Sequence, residues 1–180
     1  MKKITAAFVS LILTLSAGFA LAFEPDPNDK QQLAAAEAIL DITEKDPSIQ
    51  RFFDESAGYA VFPTVGKGGV GIGGARGKGL VIVNGKVVGH TTLTQLTVGL
   101  QLGGQTYSEF IFFKDNAALE QFQRGDFEMG AQASAVAVTA GASADANYDK
   151  GVAVFTNVTG GLMYEATISG QNFKYEPAGG

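Results

Sequence analysis

The residues best suited to chemistry are basic. Between Ser56 and Ser108 the ionisable side chains, apart from His90 and the tyrosines, are Lys67, Arg76, Lys78 and Lys86, a local charge of +4. Arg76 and Lys78 stand two apart, so an extended strand puts them on one face, and they lie among glycines whose backbone amides no side chain shields. A guanidinium fork and an ammonium beside bare amides suit a phosphate or other anionic headgroup. The pattern predicts a headgroup site made by Lys67, Arg76 and Lys78. Tyr59, Phe62, Val70 and Ile72 would flank it and touch acyl chain or membrane interface. Plain solubility of a half-wet sheet is the competing reading, and charge alone weighs the two about equally.

Catalysis finds no comparable set. With no Cys and a single His, thiol catalysis, disulfides and Cys-based zinc sites are excluded, as is any Ser-His relay not built on His90. Gly66-Lys67-Gly68-Gly69-Val70-Gly71 fits the G-x-G-x-x-G pattern, but that loop must open a helix and be followed by an acid. Here further glycines follow, and no Asp or Glu occurs between Ser56 and Ser108. Asp145-x-Asn147-x-Asp149 starts like a calcium loop, yet Lys150 stands where Gly is needed and Thr156 where a bidentate Glu belongs. Ser134 lacks the second Gly of a nucleophile elbow. Asp54, Glu55, Glu109 and Glu165 have no evident acid–base partner. No catalytic residue, metal or cofactor is predicted.

Composition frames these sites. The 180 residues include 13 Lys or Arg and 18 Asp or Glu, a formal charge of -5, so binding nucleic acid through a broadly basic surface is not expected. Hydrophobic residues at 46% and charged residues at 17% make a globular chain, and 24 Gly is about twice the usual share of roughly 7%. Residues 1–22 have the three parts of a secretory signal peptide: Lys2 and Lys3, the apolar run Ala6 to Leu15, and Ala20-Leu21-Ala22 before the cut. Losing two lysines takes the charge from -5 to -7. In a Gram-negative bacterium the product would be periplasmic. Residues 23–28 then form a flexible lead, 29–176 one domain and 177–180 a tail.

The elements that must position the basic residues follow from periodicity. Asp29, three before Gln32, opens a helix with Leu33, Ala36, Ile39 and Leu40 inward, and Asp46-Pro47 opens a second with Ile49, Phe52 and Phe53 inward. From Tyr59 the period becomes two. Asn84-Gly85 between Val81-Ile82-Val83 and Lys86-Val87-Val88 predicts a type I′ hairpin. Without a bulge, partners sum to 169: Val81 faces Val88, Gly79 faces His90, Gly77 faces Thr92 and Gly73 faces Leu96. Bare glycines then lie beneath larger side chains, while Arg76 and Lys78 share the reverse face with Thr91 and Gln95. Tyr107 to Phe113 is a strand, Asp115 or Asn116 caps a helix ended by Gly125, and 131–138 reads as a strand with a helix as competitor. Val152 to Thr156, Leu162 to Ile168 and Asn172 to Tyr175 close a meander, with turns at Asn157 to Gly161 and Ser169-Gly170. The fold class is α+β: a mainly antiparallel, strongly curved or barrel-like sheet with short N-terminal helices and one mid-chain helix.

Tyr59-Ala-Val-Phe-Pro63, Gly66-Lys-Gly-Gly69 with Gly71, Gly73 and Gly74, Thr94-Gln95, Gly103-Gly-Gln105, Gly130-Ala-Gln-Ala-Ser134 and Val152-Ala-Val-Phe155 occur in order. Together they resemble the SYLF domain, the lipid-binding module also found in fungal actin-patch proteins. The resemblance spans Glu37 to Tyr175. It implies a non-enzymatic module that binds phospholipid, phosphoinositides in eukaryotic members, often aided by an amphipathic N-terminal helix. The corresponding helix here, Asp29 to Ile42, is acidic, unlike a membrane-surface helix, and an exported protein would not meet actin. An anionic phospholipid or membrane surface is the expected partner. A structural or partner-binding envelope protein and a small outer-membrane barrel are the alternatives.

Overall fold

Asp29 caps the first helix as its spacing predicts: its carboxylate accepts hydrogen bonds from the amides of Gln31 at 2.8 Å and Gln32 at 3.2 Å, and the Gln32 side chain reaches back to it at 3.1 Å. The computed structural model describes residues 23–99, 104–125, 127, 129, 135–160 and 168–179, and only the backbone of 70–72 and 97–99. Helix α1 spans Lys30–Lys45 and buries Ala35, Ala36, Ile39, Ile42 and Thr43. The inward stripe therefore lies slightly to one side of the expected one, and Leu40 points outward. Asp46-Pro47 starts a 3-10 turn, Pro47–Ile49, that runs into the short helix α2, Gln50–Glu55. Among the described residues no helix is long and apolar enough to cross a membrane.

Strands β1 (Gly58–Val83) and β2 (Lys86–Gly99) meet at the predicted hairpin, where Asn84 and Gly85 take φ of 50° and 72°, the left-handed pair that a type I′ turn needs. The predicted register holds only for the two pairs beside the turn, Val83 with Lys86 and Ile82 with Val87. Beyond them Val81 pairs with Gly89, so Val88 is one residue too many, and every later pair is shifted: Gly79 faces Thr91, Gly77 faces Leu93 and Gly74 faces Leu96. A one-residue bulge exchanges the two faces of all that follows. Thr91, Leu93 and Gln95 therefore point inward, while His90, Thr94 and Leu96 join Arg76 and Lys78 outside. The bulge is held from a distance. The Val88 carbonyl accepts the Tyr175 hydroxyl and the Ala178 amide, each at 2.9 Å, and a Cβ on Gly89 would lie 2.3 Å from the Tyr175 ring.

Strand β3 (Gly104–Phe113) pairs with the first half of β1. Helix α3 (Asn116–Gln123) follows, capped by Asp115 and turning Leu119 and Phe122 inward, and Gly125 ends it at φ 77°. Strand β4 is confined to Val136–Ala137, β5 covers Val152–Gly160 and β6 covers Gln171–Pro177, giving the order β4-β5-β3-β1-β2-β6. Two expectations change: β5 continues through the supposed turn at Asn157, and β4 pairs with β5 in parallel. Residues 131–134 and 162–167 of the other expected strands lie outside the described residues.

The sheet is strongly curved. Gln171 on β6 hydrogen-bonds Glu109 on β3 at 2.9 Å although β1 and β2 lie between those strands in the sheet, and Phe62 meets Phe173 with centroids 5.7 Å apart. Within β1 itself, a Cβ on Gly79 would stand 2.6 Å from the Val61 carbonyl and one on Gly77 would stand 2.8 Å from Val65, so the bare positions let the strand's two halves close on each other. The described sheet still has two edges, β4 and β6, so it is a curl rather than a closed barrel. One core fills the concave side, with Phe62, Val65, Leu93, Phe113, Phe122 and Phe173. A second lies under α1 and α2, with Ile39, Ile42, Phe52, Phe110, Phe112 and Phe155.

Candidate functional site

The even-numbered side chains of β1 continue past the end of α1 onto open sheet. Leu80 and Ile82 are buried under the helix, whose Gln31 amide donates to the Gly79 carbonyl at 3.1 Å, whereas Arg76 and Lys78 are exposed. Neither makes a hydrogen bond or ion pair among the described residues. Opposite them on β2 stand Thr94 and Thr92, and beyond these on β6 Asn172 and Lys174. Lys174 is tied to Glu176 at 2.7 Å, and His90 makes a 3.3 Å contact with the Gln31 side chain. In the row next to Arg76 lies Leu96, 84% exposed, the most exposed of the large apolar side chains described. Two unpaired cations beside an unsheltered leucine form a patch with one charged and one apolar element.

The structure does not bring all the predicted site residues to this patch. Lys67 shares a face with Val65 and lies opposite Gln105 on β3, with an exposure of 4%, inside the curl. Burial pushes its ammonium below the usual lysine range. Tyr59 and Phe62 are buried in different cores on opposite sides of the sheet, so neither reaches a membrane surface from where it stands. Burial also raises the Tyr59 phenol. The side chains of Val70 and Ile72 lie outside the described residues. Leu96, by contrast, was expected to cover glycine; the bulge turned it out. Its signal was local: the doubt over register that any glycine-rich strand carries.

Inside the curl a polar strip accompanies Lys67. Gln105, Tyr107 and Glu109 alternate along β3, and Gln171 answers from β6. Glu109 is fully buried, with one oxygen bonded to Gln171 and the other unpartnered among the described residues. Burial raises its carboxyl to about 8, against the lowering effect of the Gln171 bond. At neutral pH Glu109 is therefore mainly a neutral acid.

A second buried carboxylate does the opposite. Asp46 accepts hydrogen bonds from the Ser48 amide (3.1 Å), the Gly141 amide (3.2 Å), the Ser143 amide (2.7 Å), the Ser143 hydroxyl (2.7 Å) and the Ser48 hydroxyl. Burial alone would raise it, but the bonds from Ser48 and Ser143 hold it at about 2. Arg51 closes the same loop by donating to the Ser143 carbonyl at 2.9 Å. This is a fastening between the helical segment and 141–146. His90, which any Ser-His relay would need, is bonded to Gln31 on the α1 side.

The Asp145-Asn147-Asp149 turn does not converge on a point: the Asn147 amide bonds the Asp145 carbonyl, and Asp149 bridges to Val152. No cluster of three or more potential metal ligands occurs among the described residues. Between α1 and the sheet runs a groove of about 470 Å³ lined by Glu37, Asp41 and Glu44 against Pro63, Thr64 and Ser108. It is acidic, as the helix sequence implies.

The family described as "Las17-binding protein actin regulator" (Ysc84) matches residues 94–176, which take in the last six residues of β2 and the elements from β3 to β6. The chain is 31% identical over 138 residues to Beta cell expansion factor A of Aeromonas veronii, a similarity covering 76% of this chain and 52% of that protein. The chain thus spans about half the length of the curated relative it matches. Both matches agree with the ordered motifs: over residues 94–176 the chain is similar to the SYLF (Ysc84) family.

Proposed function

We propose that this chain is a non-enzymatic protein that binds anionic phospholipid in the periplasm or envelope of a bacterium, docking through the outer face of β1 and β2. The observation carrying this reading is the pairing of Arg76 and Lys78, exposed and without partners among the described residues, with Leu96 in the adjacent row. The cations meet phosphate and the leucine enters the interface. Lys67, Tyr59 and Phe62, buried where they are, have no part in this surface. Similarity to a family of lipid-binding modules supports the ligand class, and the signal-like residues 1–22 support the compartment. Actin is not proposed as a partner, because export from a bacterium would separate the two.

Each cation near an anionic surface contributes about 1 kcal/mol. The Arg76→Ala/Lys78→Ala protein should therefore lose about 2 kcal/mol, or roughly 30-fold, in affinity for phosphatidylglycerol vesicles. The loss should shrink as salt is added. Melting should be unchanged, since both side chains are exposed. Sedimentation with vesicles measures this, and undiminished retention would refute the site.

A further inference from the structure

Lys67 is the unexplained cation of the molecule. Its exposure is 4%, and its Nζ is buried with no hydrogen-bond partner among the described residues. A lysine stem normally lets the ammonium snorkel to water, and here the neighbouring backbone at Gly66 and Gly68 is exposed, so water was one face away. The strand instead turns the side chain into the curl. The inward carboxylate on β3 does not neutralise it: Glu109 is four residues beyond Gln105, the position opposite Lys67, about 13 Å along the strand, and takes its bond from Gln171. A buried ammonium without an anion is a costly arrangement, and a methionine of similar length would remove that cost.

We infer that Lys67 anchors an interior oxyanion site, and that its missing partner is a phosphate or carboxylate oxygen of a ligand admitted beneath the curved sheet. The lipid-binding reading supplies the class of ligand; the place rests on Lys67 alone. The walls suit an anionic group with an apolar extension. Val65 precedes Lys67 on the same inward face, Tyr107 stands opposite Val65, and Phe62 continues the row, while the buried Gln105 flanks the ammonium. Burial also lowers the ammonium's affinity for its proton, a shift that an incoming oxyanion would reverse. This site is separate from the outer patch, which lies on the other face of the same strand.

The test compares wild type, Lys67→Met and Lys67→Arg in sodium chloride, in sodium phosphate of equal ionic strength, and with lysophosphatidic acid below its micelle concentration. Without ligand, Lys67→Met should melt several degrees above wild type. Phosphate or lysophosphatidic acid should raise the wild-type and Lys67→Arg midpoints by several degrees and leave Lys67→Met unmoved. A response to phosphate alone marks a small-anion site, and a response confined to the lysolipid marks a headgroup site. In lysine-15N protein the Lys67 ammonium signal must shift on adding the active ligand, which holds the proposal to account even if Lys67→Met fails to fold. A wild-type midpoint and signal indifferent to both ligands would overturn the proposal. So would a response kept in Lys67→Met and lost in Arg76→Ala/Lys78→Ala, which would leave the outer face as the anion site. Vesicle retention undiminished in Arg76→Ala/Lys78→Ala, with the Lys67 response intact, would sink the surface reading alone.

Discussion

Lys67 and Lys78 occupy the same strand an odd number of positions apart and meet opposite fates. Lys78 stands in water beside Arg76 and Leu96, whereas Lys67 is enclosed on the concave side, opposite Gln105 and one row from Tyr107. Identical side chains thus yield two kinds of electrostatics. Outside, charge is screened and worth little singly; inside, it is unscreened, and an unpartnered group must change protonation state or find a ligand. The comparison teaches that strand parity, more than residue type, assigns chemistry in this fold.

The largest expected effect tests the inner half. Glu109 titrates at about 8 in the fold and near its ordinary 4.5 when unfolded. Between those values the folded chain holds a proton that the unfolded chain has released, so stability falls as pH rises, by about 1.4 kcal/mol per pH unit, and levels off above about 8. Across the window the cost approaches about 5 kcal/mol. Asp46 acts elsewhere: held at about 2, it contributes stability that is present above about pH 4 and lost below it. Glu109→Gln should flatten the upper window and be more stable than wild type at pH 8. Urea titrations of both proteins from pH 5 to pH 8 measure this. Parallel curves would mean that the interior is as well screened as the surface.

How much of this was legible follows from where each signal resides. Asn84-Gly85, the Asp29 and Asp115 caps and the Gly125 stop are local, and the sequence shows them directly. The parity that separates Lys67 from Arg76 and Lys78 was also there to be counted, nine and eleven positions along one extended strand, and grouping the three by charge passed over it. The bulge at Val88 was not legible, because its cause, the Tyr175 hydroxyl, is 87 residues away. The second role of Asp46 was hidden likewise: a cap is visible from Pro47, but the loop that Asp46 fastens comes from Gly141 and Ser143.

The bulge is the hinge of the comparison, so loosening it should blur the two faces. A Cβ on Gly89 would meet Tyr175 Cε2 at 2.3 Å, Cζ at 2.6 Å and the Glu176 carbonyl at 2.7 Å. Neither the ring nor the backbone can yield without giving up the hydroxyl bond to Val88. Gly89→Ala should cost about 3 kcal/mol, the upper end for overpacking. Tyr175→Ala alone should cost less, and the double variant should recover part of the Gly89→Ala loss. Midpoints in urea read the coupling, and strict additivity would show that ring and glycine do not constrain each other.

The smallest effect is the most discriminating for the outer half. Leu96 is 84% exposed, so Leu96→Ser should leave folding stability within about 0.5 kcal/mol of wild type. If Leu96 enters the bilayer interface, the same change removes burial worth about 1.5 kcal/mol, roughly a tenfold loss of vesicle affinity. That loss comes from apolar transfer, which salt does not screen, whereas the contribution of Arg76 and Lys78 fades over a shorter Debye length as salt rises. Retention on phosphatidylglycerol vesicles at low and high salt therefore separates the two elements. Leu96→Ser should hold its tenfold deficit at both, while the Arg76→Ala/Lys78→Ala protein should approach wild type at the higher. A Leu96→Ser deficit that vanished with salt would make the leucine a bystander to a purely electrostatic contact, and the face turned outward by the bulge would carry charge alone.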